Sequence, residues 1–202
     1  MDRLGTITSD VRYLARQDPR LASPVGVPPI ELHEPGFHRL VHLILGQQVS
    51  IESAGAMYAN LVTTLGAVTP EALLRLDDDM MRRCGFTRMK AGYARGIAEA
   101  ILDGFDLSAL DAMGPDAAVA TLTTLRGVGV WTAECYLLFA VGHRDIFPAG
   151  DLALRVGWQE IAALEAPPSE QALRAIAEQW APRRTAAAHL VWDAYLRRRG
   201  RR

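Results

Sequence analysis

The chain has 202 residues, half of them hydrophobic, and a formal net charge of −1. That supports one large domain or two small ones with a real apolar core, and it leaves no bulk charge to signal a nucleic-acid partner. The two cysteines, Cys84 and Cys135, stand in neither a metal-ligand nor a redox spacing.

The N-terminus carries Asp2, Arg3 and Asp10 and lacks the apolar stretch of a signal peptide. The most apolar run, Val128–Val141, is short and contains Glu134, so no bilayer span is expected. A soluble protein in a reducing, intracellular setting is expected.

Helical spacing recurs along the chain, and no alternating strand of convincing length occurs. The first 35 residues, with Pro24, Pro28, Pro29 and Pro35, read as one short helix and a wrapped arm. Phe37 to Leu45 is an apolar helix broken at Gly46. A second helix runs from Ile51 to Leu65, with Ala54, Met57, Tyr58 and Leu61 on one face. Thr69-Pro70-Glu71 reads as an N-cap, a first-turn proline and an acidic first turn. Further helices are predicted over Lys90–Leu102, from Pro115, after the glycines at 127 and 129, after Asp151, after Ser169 and from Pro182. The count is nine or ten, and the class is all-α.

Basic residues gather at Arg82, Arg83, Arg88, Lys90 and Arg95, at Arg183 and Arg184, and at Arg197, Arg198, Arg199, Arg201 and Arg202. By themselves they read as solvated faces and a frayed tail. Local positive charge still suffices for a phosphate backbone.

The stretch Leu122-Thr-Thr-Leu-Arg-Gly-Val-Gly-Val-Trp-Thr-Ala-Glu134 joins two apolar helices. Gly127 and Gly129 can take positive φ and admit close backbone approach, while Val128 packs between the helices. The helix that follows opens with unsatisfied N–H groups, a ready anion site that carries no base information. Gly-Val-Gly alone reads as a tight turn in a bundle. The full Leu-x-Gly-Val-Gly-x-x-Thr-Ala pattern is far more specific.

Here the chain resembles the helix-hairpin-helix DNA glycosylase superfamily. Ile44-Leu-Gly-Gln-Gln-Val-Ser50, Trp180-Ala-Pro-Arg-Arg184 and Trp192 are similar to the 3-methyladenine DNA glycosylase II (AlkA-type) family, in a short form without the N-terminal β domain. The resemblance runs from Phe37 to Trp192. It implies two packed helical subdomains with the active site in the cleft between them. One spans residues 36–142 with the hairpin and a wedge loop, and the other combines 1–35 with 143–202.

The resemblance also implies the site. Asp151, twenty residues after Trp131 and preceded by Phe147-Pro-Ala-Gly150, is the expected catalytic carboxylate, although alone it reads as a helix cap. It would stabilise positive charge on the sugar and orient or deprotonate a water. Asp145 and Asp193 read as solvated surface residues. Trp131, Trp192, Phe37 and Tyr58 are the base-pocket candidates, because a cationic base favours aromatic faces. Gln48, with Gln47 beside it, is the candidate wedge for the vacated base position. Gly127, Val128, Gly129 and Thr132 are the phosphate contacts. The carbonyls of Thr123, Leu125 and Val128 are expected to hold a structural Na⁺ or K⁺.

Some members place a lysine nucleophile where this chain has Trp131, so a monofunctional enzyme is implied. No cysteine follows Cys135, so no iron–sulfur cluster is expected, and no cofactor is required. Four residues after Trp131 the family's tyrosine is replaced by Cys135. The implied function is excision of alkylated bases, of the 3-methyladenine and 7-methylguanine type, from double-stranded DNA in base excision repair. A glycosylase for deaminated or oxidised bases and a non-catalytic lesion-binding module are the alternatives. A monomer, cytoplasmic and nucleoid-associated, is expected.

Overall fold

The computed structural model describes residues 2–23 and 26–201, and no strand occurs among them. Pro24 of the N-terminal arm and Arg202 of the arginine run lie outside the described residues. The helices in chain order are α1 (Arg3–Gln17), α2 (Phe37–Gly46), α3 (Ile51–Leu65), α4 (Pro70–Leu74), α5 (Asp78–Arg83), α6 (Arg88–Leu102), α7 (Pro115–Thr123), α8 (Val130–Tyr136), α9 (Leu152–Ile161), α10 (Glu170–Ala177) and α11 (Arg184–Arg198). A π-helical turn, Leu137–Val141, follows α8, and three 3₁₀ turns cover Pro19–Leu21, Leu107–Ala112 and Glu178–Trp180.

The chain divides into two compact units. One is His33–Tyr136, and the other takes the residues before His33 and those from Leu137 onward. The dividing points lie a few residues before those expected at 35/36 and 142/143. The second of them coincides with the change from α-helix to π-helix after Tyr136.

In the His33–Tyr136 unit, α2 is the central rod and packs on α3, α6 and α8. Leu40, Val41, Ile44 and Leu45 are all fully buried. Each such side chain contributes on the order of 1.5–3 kcal/mol. That anchorage suits a helix whose next residues form a polar turn. In the other unit α11 packs on both α1 and α9. Residues Thr185 to Val191 are buried on every side of α11, so its first half is interior rather than carrying a single apolar stripe.

Local signals place several helix starts. Thr69, Asp151 and Ser169 each accept a backbone N–H three residues on, the defining N-cap contact. The last helix begins at Arg184 rather than Pro182, because Arg183 N donates to Trp180 O at 2.7 Å and takes the proline into a tight turn. The expected count of nine or ten helices omits α5, whose Asp78-Asp-Met-Met-Arg-Arg83 shows little apolar period but is capped by Asp77 Oδ1 on Met80 N at 2.7 Å.

Candidate active site and nucleic-acid contacts

Asp151 leaves an extended backbone and caps α9, its Oδ1 accepting from Leu154 N at 3.0 Å. The same oxygen accepts from the indole Nε1–H of Trp192 on α11, at 3.1 Å. Trp192 in turn stacks on Phe139, with ring centroids 5.2 Å apart and planes 25° from parallel. His189, one turn before Trp192, meets both rings edge-on, at 6.0 Å from Phe139 and 6.1 Å from Trp192. A half-buried carboxylate at a helix N-terminus therefore borders an aromatic group of three rings. Phe139 and His189 were not among the sequence candidates. His189 had a signal in its i, i+3 spacing to Trp192. Phe139 had none, since it lies in the π turn.

The two acids read as solvated are paired instead. Asp145 receives Arg184 Nε at 2.8 Å and Nη2 at 2.9 Å. Asp193 is 1% exposed and accepts from Ser23 Oγ at 3.1 Å and Arg197 Nε at 2.7 Å. Within the arginine run, the first three members are likewise paired, and Arg197 already holds Asp193. Arg198 and Arg199 reach Glu160 at 3.4 and 2.9 Å.

In the His33–Tyr136 unit the hairpin after α7 is closed by Leu125 N on Leu122 O at 3.1 Å and Val128 N on Leu125 O at 3.0 Å. Gly127 has φ +92°, and a Cβ there would lie 2.2 Å from the Tyr93 ring. Glycine is therefore required twice over at this position. Gly129 differs from the expectation: its φ is not positive and a Cβ would meet nothing. It is exposed beside Val130, and its carbonyl starts α8 by accepting from Ala133 N at 2.9 Å. Val128 is buried, as its wedge between helices requires. Arg126 is exposed on the hairpin, its guanidinium carbon 6.0 Å from the Tyr93 ring centroid.

Thr132 is not a surface hydroxyl. It is buried, and its Oγ1 accepts from Gln47 Nε2 at 3.1 Å. The same Gln47 amide donates to Gly127 O at 3.0 Å. Gln47 is therefore committed to the hairpin, which removes it from the wedge. Gln48 is exposed and takes φ +58°, a left-handed conformation uncommon outside glycine. Val49 and Ile51 beside it are exposed too, Ile51 at 84%. Lys90 on α6 is buried, and its Nζ donates to Leu45 O at 2.7 Å and Gln47 O at 2.8 Å. Burial lowers its ammonium below the ordinary lysine value.

The remaining pocket candidates separate. Phe37 is a core residue at the start of α2, and Trp131 is half-buried in the first turn of α8. Tyr58 stacks on His42 with centroids 4.4 Å apart and planes within 10°. His42 Nδ1 lies 3.2 Å from Arg39 Nη1. A guanidinium only donates, so Nδ1 accepts and the neutral ring carries its proton on Nε2. Burial first, then the charge of Arg39, lowers the His42 pKa.

Residues 41–183 match the HhH-GPD superfamily of base excision DNA repair proteins, and the chain belongs to that family. It is 31% identical over 168 residues to DNA-3-methyladenine glycosylase 1 of Schizosaccharomyces pombe, covering 81% of this chain and 73% of the relative. The structure of that organism's 3-methyladenine DNA glycosylase in complex with abasic DNA superposes with a TM-score of 0.79 at 28% identity, covering 93% of this chain and 95% of the other. The Bacillus halodurans DNA-3-methyladenine glycosidase superposes with a TM-score of 0.81 at 29% identity, covering 92% and 88%. No helix among the described residues is long and apolar enough to cross a membrane.

Proposed function

We propose that this chain is a monofunctional DNA glycosylase that flips alkylated bases out of duplex DNA and hydrolyses their N-glycosidic bond. The observation that carries the reading is Asp151, held on Oδ1 by Leu154 N–H and Trp192 Nε1–H beside the Phe139–Trp192 stack. Loss of the base leaves positive charge on the sugar. A pre-oriented carboxylate stabilises that charge without reorganising, and it orients or deprotonates the attacking water. An alkylated base already carries positive charge, so it departs without a separate acid. The electron-rich faces of Phe139 and Trp192 suit such a base. Trp131 offers no amine at the position where a lysine would attack the sugar, so the strand stays intact.

DNA is held through the hairpin amides near Gly127 and Gly129, with Arg126 adding an exposed charge. Neutral backbone carbonyls suit a monovalent cation, and the Leu125 carbonyl keeps a second lone pair after accepting from Val128 N. The carbonyls of Thr123, Leu125 and Val128 would hold the ion, which would supply positive charge beneath a phosphate. An intracellular, DNA-associated monomer fits this chemistry.

The test is release of free base from methylated duplex DNA. Wild type should release 3-methyladenine and 7-methylguanine without strand cleavage, and Asp151→Asn should not. Equal release by both proteins would end the enzymatic reading. Release of uracil or 8-oxoguanine in preference would move the substrate class.

A further inference from the structure

The C-terminal end of α2 leaves carbonyls without intrahelical partners, as every helix end does. Lys90 satisfies two carbonyls there, those of Leu45 and Gln47, with one buried ammonium. A cation at a helix C-terminus is favoured by the helix dipole. Gln47 is then held at its other end as well, because its side-chain amide bridges Gly127 O and Thr132 Oγ1 of the hairpin. The very next residue is Gln48, exposed and left-handed.

The same helix supports both pieces. Lys90 sits under the turn, and Tyr93, three residues on, lies against Gly127 where a side chain would collide. The hairpin and the turn thus share a footing on α6 and are cross-linked by Gln47.

We propose that Lys90 and Gln47 are positioning residues that lock the Gln48 turn to the DNA-gripping hairpin. The inference rests on the glycosylase reading for its purpose, since it makes the phosphate register set the depth to which Gln48 enters the duplex. A loose turn would still let the hairpin bind phosphate. It would not deliver Gln48 to the vacated position at a defined depth.

The experiment uses the full chain with Gln47→Ala, Gln47→Glu and Lys90→Met. The probe is a duplex with 2-aminopurine beside a stable abasic analogue, whose fluorescence reports insertion of the turn. Amide exchange at Gln48–Ser50, affinity for undamaged duplex, melting temperature and single-turnover base release are read alongside.

A displacement of about 1 Å in a positioned group costs on the order of 10²-fold in rate, and single-turnover release should fall by that order. Affinity for undamaged duplex should change less than about threefold, because phosphate contacts supply most of it. The 2-aminopurine signal should drop, and exchange at Gln48–Ser50 should rise. Gln47→Glu should be at least as damaging as Gln47→Ala, since it sets a carboxylate against the Gly127 carbonyl. Combining Gln47→Ala with Thr132→Val should be no worse than the stronger single change, as expected for one shared contact.

Unchanged insertion and exchange in Gln47→Ala would overturn the proposal. So would losses of insertion and release that merely track a fall in melting temperature. If Lys90→Met does not fold, the two Gln47 variants decide. If wild type releases no base, the glycosylase reading fails by itself, and insertion and exchange still decide whether the turn is locked.

Discussion

Trp192 and Asp151 stand 41 positions apart in the sequence and meet through one hydrogen bond of 3.1 Å, the indole donating to the carboxylate. Hydrogen bonds to a charged group contribute about 1.5–3 kcal/mol. Trp192→Phe keeps an aromatic face against Phe139 but removes the donor. At 1.36 kcal/mol per factor of ten, kcat for base release should fall by roughly 10- to 100-fold. KM should change little. A raised KM with kcat intact would mean the indole serves only to bind.

The hairpin glycines should behave differently from one another. Gly127→Ala puts a side chain at φ +92° and against Tyr93. It should destabilise the fold by ~1–3 kcal/mol and weaken binding to every duplex alike. Gly129→Ala meets open space and should leave the thermal midpoint within about 2 °C, as for a strain-free surface change. Thermal melts paired with salt titrations of duplex binding check both. Equal destabilisation by the two changes would contradict the assignment of strain to Gly127.

At Gly157, α9 has α11 close against it. A Cβ there would lie 3.0 Å from both Val191 Cγ1 and the Val191 carbonyl oxygen. Gly157→Ala should cost ~1–3 kcal/mol through overpacking. It should also slow base release, because Asp151 caps α9 and α11 carries Trp192. Calorimetry and single-turnover release, compared on the same preparation, test the pair of effects. A stable variant with full activity would show that the helices yield easily.

His42 provides a pH signature. Its pKa in the folded protein lies below the ordinary 6.5, from burial and from Arg39, with His33 and His38 adding to the effect. Between the folded value and 6.5 the unfolded chain binds more protons, so stability falls as pH falls through that window. Below the folded pKa the contribution flattens. Urea midpoints measured from pH 7.5 to 4.5 should show this slope in wild type, and His42→Gln should reduce it. An identical slope in the variant would assign the effect elsewhere.

What the sequence disclosed was mostly local. A cap such as Ser169 or Asp151 reaches only three residues along the chain, and so it can be read there. The hairpin was legible for the same reason. Long-range partners were not. Asp193 reads as a surface acid until Ser23 and Arg197 arrive from elsewhere in the chain and on the next turn. Gln47 reads as a companion of Gln48 until its amide is found 80 residues away on Gly127. Phe139 is not legible because the stretch that carries it does not wind as an α-helix.

That winding sets the partner of Trp192. The π turn Leu137–Val141 holds more residues per revolution than its neighbours, and Phe139 lies inside it. An α-helix advances about 100° per residue, so deleting Leu137 or Leu138 would restore the ordinary pitch and swing Phe139 a quarter-circle or so away from the indole. The aromatic face beside Asp151 is therefore a matter of rotational phase, open to loss by a single codon deletion even where every side chain named in the site is left in place.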